Sequence, residues 1–332
     1  LPVMTPRHSF IQDGTEYQSK MQLRLKPSVY TRVKENGELE SQFNLEKGSN
    51  FNLTLDPEQS KIMLELGTSS VNAYPLLKIM GVSDSQMERQ LGTDLVKELR
   101  AQEEKTTTNA AEKMYEYFNS MPAENRPQAE SWVKDFFNNT KMDPEVTKIT
   151  LGAKYDSVSP QALLSAVKKL VSVSRGETPP DNRENMLFKK TLDVVDILKE
   201  RVTKKLRNYS NAPLIKYKID RAPDVASAFP KGDVRALTDK FFLESGLVNS
   251  TEQTNPLSML EAASKVTITG EGGITNSHAI TEDARLIHDS QIGLLDPIHT
   301  PSSNLVGAVV GTATGAKKIS NSLALELVDA KN

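Results

Sequence analysis

The chain has 332 residues and a net charge of −2, with 41 Lys and Arg against 43 Asp and Glu. That length supports two or three domains with a sizeable core, and the balance excludes a globally basic nucleic-acid binder, so any basic surface must be local. The absence of cysteine excludes a disulfide framework and a cysteine-ligated zinc or iron–sulfur site, and it suits a reducing cytoplasm.

Residues 1–20 lack the continuous apolar core of a signal peptide. The longest apolar runs fall short of the roughly 20 residues that span a bilayer. Residue 1 is Leu rather than Met, so the expectation is a processed product or an excised region. Aromatics are few (6%) and Trp132 is the only tryptophan, which favours extended, interface-rich domains over a compact enzyme.

Residues 1–66 read mostly as strands and turns. Asp13-Gly14 and Asn36-Gly37 are tight-turn signals. Between them MQLRLKPSVYTRV (21–33) alternates as one half-buried strand, and NFNLTLD (50–56) alternates likewise. Residues 58–66 fit a strand or a short helix. Helical signals dominate from Ala73 to about Lys205. Gly81 closes one apolar stretch, and Ser83 or Asp84 caps the next, whose face includes Met87, Leu91, Leu95 and Leu99. EEKTTTNAAEK (103–113) is a loop or an exposed helix start. Trp132, Val133, Phe136 and Phe137 form a helical face, and Ser159-Pro160 opens another helix.

RGETPPDNREN (175–185) reads as a linker or exposed loop. Phe188, Leu192, Val195, Leu198, Val202 and Leu206 then make one long amphipathic helix. Its end carries Lys204, Lys205 and Arg207, which suit the helix dipole as a solvated end; contact with phosphate is the sharper alternative. Residues 211–234 are irregular, a helix with Leu237, Phe241 and Phe242 follows, and the chain is loop-rich beyond Gly246.

Residue chemistry alone supports no enzyme. GEGG (270–273) lacks the lysine and hydroxyl residue of a P-loop and reads as an ordinary flexible turn. His278, His288 and His299 have spacings that fit no compact zinc motif. Glu282, Asp283 and Asp289 are loop carboxylates of little weight. No GxSxG elbow is present. The stretch LLDPIHTPSSNLVGAVV (294–310) poses a sharper question: it starts and ends as apolar strand but carries two prolines and a polar corner between.

The order of motifs supplies an answer. LPVMTPRHSFIQDGTE (1–16) resembles a segment of the second-largest subunit of multisubunit RNA polymerases, the bacterial β subunit, through Leu1, Pro2, Met4, Thr5, Phe10, Ile11, Gly14, Thr15 and Glu16. His8 replaces the family glycine and Tyr17 its arginine. QLRLKPSVY (22–30) is similar to the segment that follows. The middle, 92–180, has no clear counterpart. The similarity returns in 240–275 through Asn255, Pro256, Leu257, Ser258, Gly270, Gly272, Gly273 and Thr275. It continues in RLIHDSQIGLLDPIHTPSSNLVGAV through Arg285, His288, Gly293, Pro297, Ile298, Thr300, Pro301 and Gly307.

The resemblance implies an α+β, mixed multi-domain architecture: a strand-rich protrusion and fork with a largely helical inserted lobe. Residues 1–20 would begin the protrusion, 21–210 form the lobe, 211–250 complete the protrusion, and 251–332 belong to a truncated fork. It implies fork or DNA-facing roles for Lys265, Gly270, Gly272, Gly273, Thr275, Asn276 and His278. It places Arg285, His288, Pro297, Thr300, Pro301, Ser302 and Asn304 near the active centre. No catalytic residue and no metal ligand falls in this stretch. The whole enzyme would use Mg2+ bound by its largest subunit, with a β′-like subunit, the remaining β chain if split, DNA template and RNA as partners, in the cytoplasm (of the host, if viral) and away from membranes.

Departures from the pattern also carry expectations. TPSS (300–303) replaces TPEG, only Lys265 remains of a basic run, and Thr275, Asn276, Ser277 and His278 replace TRER. NSTEQT (249–254) replaces a segment of the rifamycin pocket. These changes imply a divergent, bacteriophage-encoded polymerase that resists rifampicin. The alternative is a stand-alone nucleic-acid-binding or scaffold protein derived from such a subunit.

Overall fold

The computed structural model of the chain describes residues 3–104, 109–210, 232–251 and 255–325. Its helices and sheets make it a mixed α+β protein, as expected. Two compact units divide it: Leu1–Arg24 with Glu184–Asn332, and Leu25–Arg183.

The chain opens with strands β1 (Phe10–Gln12), β2 (Thr15–Ser19) and β3 (Met21–Leu25). Asp13 (φ 48°) and Gly14 (φ 82°) make the β1–β2 turn, the positive-φ pair that an Asp-Gly hairpin requires. The single strand expected over 21–33 is instead two, β3 and β4 (Ser28–Val33). Pro27 separates them: it has no N–H for a ladder, and the two strands join different sheets.

In the inserted unit, β4 forms an antiparallel meander with β5 (Leu39–Asn44), β6 (Phe51–Asp56), β7 (Lys61–Leu66) and β8 (Ser69–Asn72). Residues 61–66 are therefore strand. Phe43 stacks on Phe51 at 4.3 Å, and Phe51 meets Phe137 edge-on at 5.5 Å. Helices α1 (Ala73–Ile79), α2 (Asp84–Leu91), α3 (Thr93–Glu104), α4 (Ala110–Asn119), α5 (Arg126–Asn138), α6 (Pro144–Leu151) and α7 (Pro160–Ser174) follow. Ser83 caps α2 in a reciprocal capping box with Gln86, and Ser159 caps α7. The apolar face from Met87 to Leu99 spans two helices, because Gly92 breaks it at φ 96°. Of the expected polar loop at 103–113, residues 105–108 lie outside the described residues, and Asn109 caps α4.

The expected linker at 175–185 is tied down. Asp181 donates its N–H to the Thr31 carbonyl (2.7 Å), accepts from the Thr31 N–H (2.8 Å) and pairs with Lys169. These bonds cover the free edge of β4, which would otherwise offer a template for strand addition.

The other unit resumes with β9 (Lys189–Leu192) and α8 (Val194–Ser210). Residues 188–206 are thus not one helix. Asp193 and Asp196 accept from each other's backbone N–H and start α8 after the strand. This shift of register leaves Val195 64% exposed, whereas Val194, Ile197 and Leu198 are buried with Phe10, Phe241 and Phe242. Of the irregular segment expected at 211–234, residues 211–231 lie outside the described residues. Helix α9 (Asp233–Glu244) supplies the two phenylalanines. Then come β10 (Val248–Ser250), α10 (Pro256–Ser264), β11 (Lys265–Thr267), β12 (Leu295–Asp296), β13 (Val309–Thr312), β14 (Ala316–Ile319) and β15 (Ser322–Leu325). One sheet has the order β1-β2-β10, the second sheet the order β12-β13-β11-β3-β9, and β14 pairs with β15 in a third. The second sheet is the platform for the loops described next.

Candidate functional site

The interrupted run at 294–310 is a hairpin with a long corner. Its apolar ends pair as β12 and β13, with Leu295 opposite Thr312 and Asp296 opposite Gly311. Asp296 folds the chain back by accepting from the Ile298 N–H (3.0 Å) and the His299 N–H (3.4 Å). The Thr300 hydroxyl donates to the Val309 carbonyl (2.9 Å) and accepts from the Gly307 N–H (2.9 Å). Pro297 and Pro301 fit between these fixed points, where the backbone is rigid and no proline N–H is needed.

Arg285 closes the corner from beneath. Its guanidinium donates to the carbonyls of Asn304 and Val306 at 2.8 Å each and of Ser277 at 3.1 Å. Asn304 donates weakly to the Ser277 hydroxyl (3.4 Å). Arg285 therefore couples the corner to the short turn that carries Asn276 and His278. Those two residues and Thr275 are exposed, and the Asn276 side chain accepts from the His278 N–H.

The glycine loop is pinned on several sides, contrary to the flexible turn read from GEGG. Gly270 donates its N–H to the Ile274 carbonyl and accepts from the Gly273 N–H, both at 3.0 Å. Gln22 donates to the Thr269 carbonyl (2.9 Å) and Arg24 to the Glu271 carbonyl (2.6 Å). Arg24 also pairs with Glu200 (2.6 Å). The Glu271 carboxylate accepts from Arg201 Nε (2.7 Å), and Arg201 lies 5.1 Å above the Phe241 ring. Glycine suits these positions: Gly272 has φ 74°, which L-residues rarely adopt, and a Cβ at Gly273 would lie 2.8 Å from the Ile268 carbonyl.

Lys265 is the first residue of β11 and lies opposite Gly311 of β13. Its ammonium pairs with Glu261 at 2.8 Å, and Glu261 also meets His299 Nε2 at 3.1 Å. Hydrogen bonds from Lys265 and His299 hold the Glu261 carboxyl below its ordinary value. Lys265, Thr300, Pro301 and Ser302 line one open pocket of about 620 Å³. Arg285, Pro297 and Thr300 line a second, mainly apolar one of about 260 Å³. The corner thus has two faces that share Thr300. His288 lines neither pocket; its Nδ1 hydrogen-bonds the Ser290 hydroxyl at 2.8 Å.

The fourteen sequence-selected residues do not converge on one reaction centre; they form a corner, a pinned loop and an exposed turn. Among the described residues, no group of three histidine or acidic side chains could hold a metal ion. Among them, too, no helix is long and apolar enough to cross a membrane. Sequence reasoning missed Lys20, Gln22, Arg24, Arg201, Glu261 and Glu271. Arg24 reaches the backbone carbonyl of Glu271, a contact that no side-chain pattern announces, and the β3–β11 pairing brings together residues 247 apart in the chain.

Comparison with known proteins places these loops in a defined context. Residues 249–317, which carry the pinned loop and the corner, match the model for RNA polymerase Rpb2, domain 3. The chain is similar to the DNA-directed RNA polymerase subunit beta of Pyropia yezoensis, at 23% identity over 96% of the chain and 30% of that protein. The corresponding subunit of Thermosynechococcus vestitus is 25% identical over 96% of the chain and 30% of that protein. The subunit of Adiantum capillus-veneris is 31% identical over 47% of the chain and 15% of that protein. The resemblance read from the motifs therefore extends over nearly the whole chain. The chain spans about 30% of the length of the first two of these relatives.

Proposed function

We propose that this chain is the N-terminal part of a β-like subunit of a DNA-directed RNA polymerase, a nucleotidyltransferase that works as a multisubunit complex. In this reading residues 21–210, which contain the compact unit Leu25–Arg183, form the lobe. Residues 1–20 and 211–250 form the protrusion, and the chain from 251 onward forms the fork. The protein helps enclose DNA in the cleft, in the cytoplasm of a cell or of a viral host. The pinned loop at 270–274 faces the duplex where its strands separate, and the corner at 297–308 flanks the active centre. The observation that carries this reading is similarity over 96% of the chain, together with the domain 3 match across both loops.

The fold of the two loops is suited to the task. A loop beside a moving duplex must keep its shape without a side-chain core of its own. Here the backbone carbonyls are tied by Arg24 and Arg285, and exposed Thr275, Asn276 and His278 remain available to phosphates. In this reading the magnesium ions of the whole enzyme are held by its largest subunit. The chain alone does not catalyse in this reading.

The test uses the full native gene product, tagged and purified from its own cells. The expected result is a co-purifying largest subunit with an NADFDGD aspartate motif and template-dependent RNA synthesis that persists at bacterial doses of rifampicin. A monomer that binds DNA without such a partner would support the scaffold reading instead. Rifampicin sensitivity would refute the divergent pocket.

A further inference from the structure

The unit Leu25–Arg183 carries an aromatic array on helices α4 and α5 that its own core does not cover. Tyr115 meets Trp132 edge-on, with ring centres 5.6 Å apart. Phe118 lies 5.5 Å from Trp132 and 4.8 Å from Phe136, and Phe136 stacks on Trp132 at 5.3 Å. Tyr117 adds an edge contact to Phe118 at 5.1 Å. Inward, Phe136 meets the buried Phe137. Outward, Tyr115, Phe118, Trp132 and Phe136 are only partly buried, Tyr117 is 40% exposed, and Met121, just after α4, is 61% exposed. Packing explains the inner side of the array but not the outer one. Trp, Tyr, Phe and Met are the side chains that protein interfaces favour, and the chain's only tryptophan is among them.

The charges around the rings tell which partner fits. Glu112 lies one helical turn from Tyr115, and Asp135 one turn from Trp132, so each stands on the same helix face as a ring. The Glu124 N–H donates to the Gln128 side chain (2.9 Å), which reaches the Tyr115 hydroxyl (3.5 Å). These three carboxylates are exposed, and among the described residues none of them pairs with a cation. The cations of the two helices are engaged elsewhere or face away. Lys113 donates to the Ser70 carbonyl (2.8 Å), and Arg126 pairs with Glu130 (2.9 Å). Lys134, two residues from Trp132, does not share its face. Ring faces attract a cation through their quadrupole, and uncommitted carboxylates attract it through their charge. The same rim repels a polynucleotide backbone. We propose that this face docks a basic segment of another polypeptide, with an arginine or lysine side chain set against Trp132 and Tyr115. The surface rests on this unit's own residues and holds whether or not the polymerase reading does.

Hydroxyl-radical footprinting of the full gene product, read residue by residue by mass spectrometry, tests the surface without requiring catalysis. Octa-arginine and a single-stranded oligothymidylate serve as separate probes. Octa-arginine should slow oxidation of Trp132 and Met121 and leave Met4, exposed in the other unit, unchanged. Asp135→Asn, an exposed change that leaves the fold intact, should raise the concentration for half protection about threefold, the effect of one exposed ion pair. Trp132→Leu should raise it about fivefold, read at Met121, the effect of one cation–π contact. In material purified from its own cells, nuclease should leave both residues protected and high salt should expose them. Protection by oligothymidylate, equal protection of Met4, or no protection at all overturns the proposal. So does protection that grows with protein concentration alone, which would point to a second copy of the chain, or equal reactivity before and after salt. An Asp135→Asn protein protected at the parent's concentration would overturn the role of the acidic rim.

Discussion

Gly307 and Arg285 are interlocked. The Arg285 guanidinium holds the Val306 carbonyl at 2.8 Å, while a Cβ on Gly307 would lie 2.5 Å from the carbonyl oxygen of Arg285 itself. The side chain grips the corner from one end, and the backbone blocks any residue but glycine at the other. Gly307 also has φ 70°, where L-residues are strained. Gly307→Ala should therefore destabilise the unit that holds the corner by about 2 kcal/mol or more, combining strain with overpacking. Urea unfolding followed by a probe in that unit measures it. An unchanged midpoint would mean that the corner is not so tightly closed.

Arg285→Met leaves the carbonyls of Ser277, Asn304 and Val306 without their shared donor. Amide hydrogen exchange should accelerate at least about tenfold at Gly307 and in the turn at 277–279, since local opening governs exchange. Strands β4 to β8 should exchange as before. Acceleration spread evenly across the chain would indicate global destabilisation rather than loss of a local clamp.

The glycine loop calls for a milder perturbation. Glu271→Gln removes the charge that pairs with Arg201 but keeps the backbone carbonyl that Arg24 holds. The Glu271 carboxylate is half exposed, so the pair contributes less than about 1 kcal/mol. The expected result is unchanged global stability, with faster exchange at the Gly270 and Ile274 amides that is mimicked in the parent protein by high salt. A large loss of stability would show that the pair supports the fold and not merely the loop.

How much of this was legible in the sequence depends on the range of the interaction. Asp13-Gly14, Ser83 and Ser159 act within a few residues, and each makes the turn or cap that its chemistry indicates. The breaks at Pro27 and Gly92 were visible as residues but were overridden by the periodicity on either side. The start of α8 was misplaced because Leu192 and Val195 keep helical spacing while belonging to different elements. At the candidate site, the glycines and prolines marked the loops, but the residues that fix them did not stand out. Arg24 reaches the Glu271 carbonyl, and Lys20 comes to line one pocket with Lys265, only after β3 and β11 have paired in parallel. Such pairings are set by tertiary structure and leave no local pattern.

In the inserted unit, Phe43 is fully buried and stacks on Phe51, which in turn meets Phe137 on α5. Phe43→Ala removes the ring that backs Phe51, the side chain that bridges the meander and α5. The expected cost is about 3–5 kcal/mol, from lost transfer energy and the cavity left behind. Thermal unfolding should show the loss in this unit. A cost below about 1 kcal/mol would mean that the surrounding side chains collapse into the space.

Lys318 on β14 ties the start of α8 through Asp193 and Asp196, at 2.7 Å each. Burial pushes the Asp193 carboxyl up, but the Lys318 hydrogen bond and the N–H groups of Asp196 and Val195 outweigh it, so its value is lowered. Burial pushes the Lys318 amine down, but both aspartates outweigh it, so its value is raised. A lowered carboxyl contributes stability above its unfolded value of about 3.9, and this is lost as pH falls through the folded value. A raised amine contributes stability below about 10.4, and this is lost as pH rises through the folded value. The triad should thus stabilise its unit from about pH 5 to about pH 9 and weaken on both sides. Its members are partly exposed, so screening keeps the contribution near about 1 kcal/mol. Urea midpoints measured across pH in the parent and in Lys318→Met should differ most near neutrality and converge in acid. A constant difference down to pH 3 would show that Lys318 acts through packing of its stem and not through its charge.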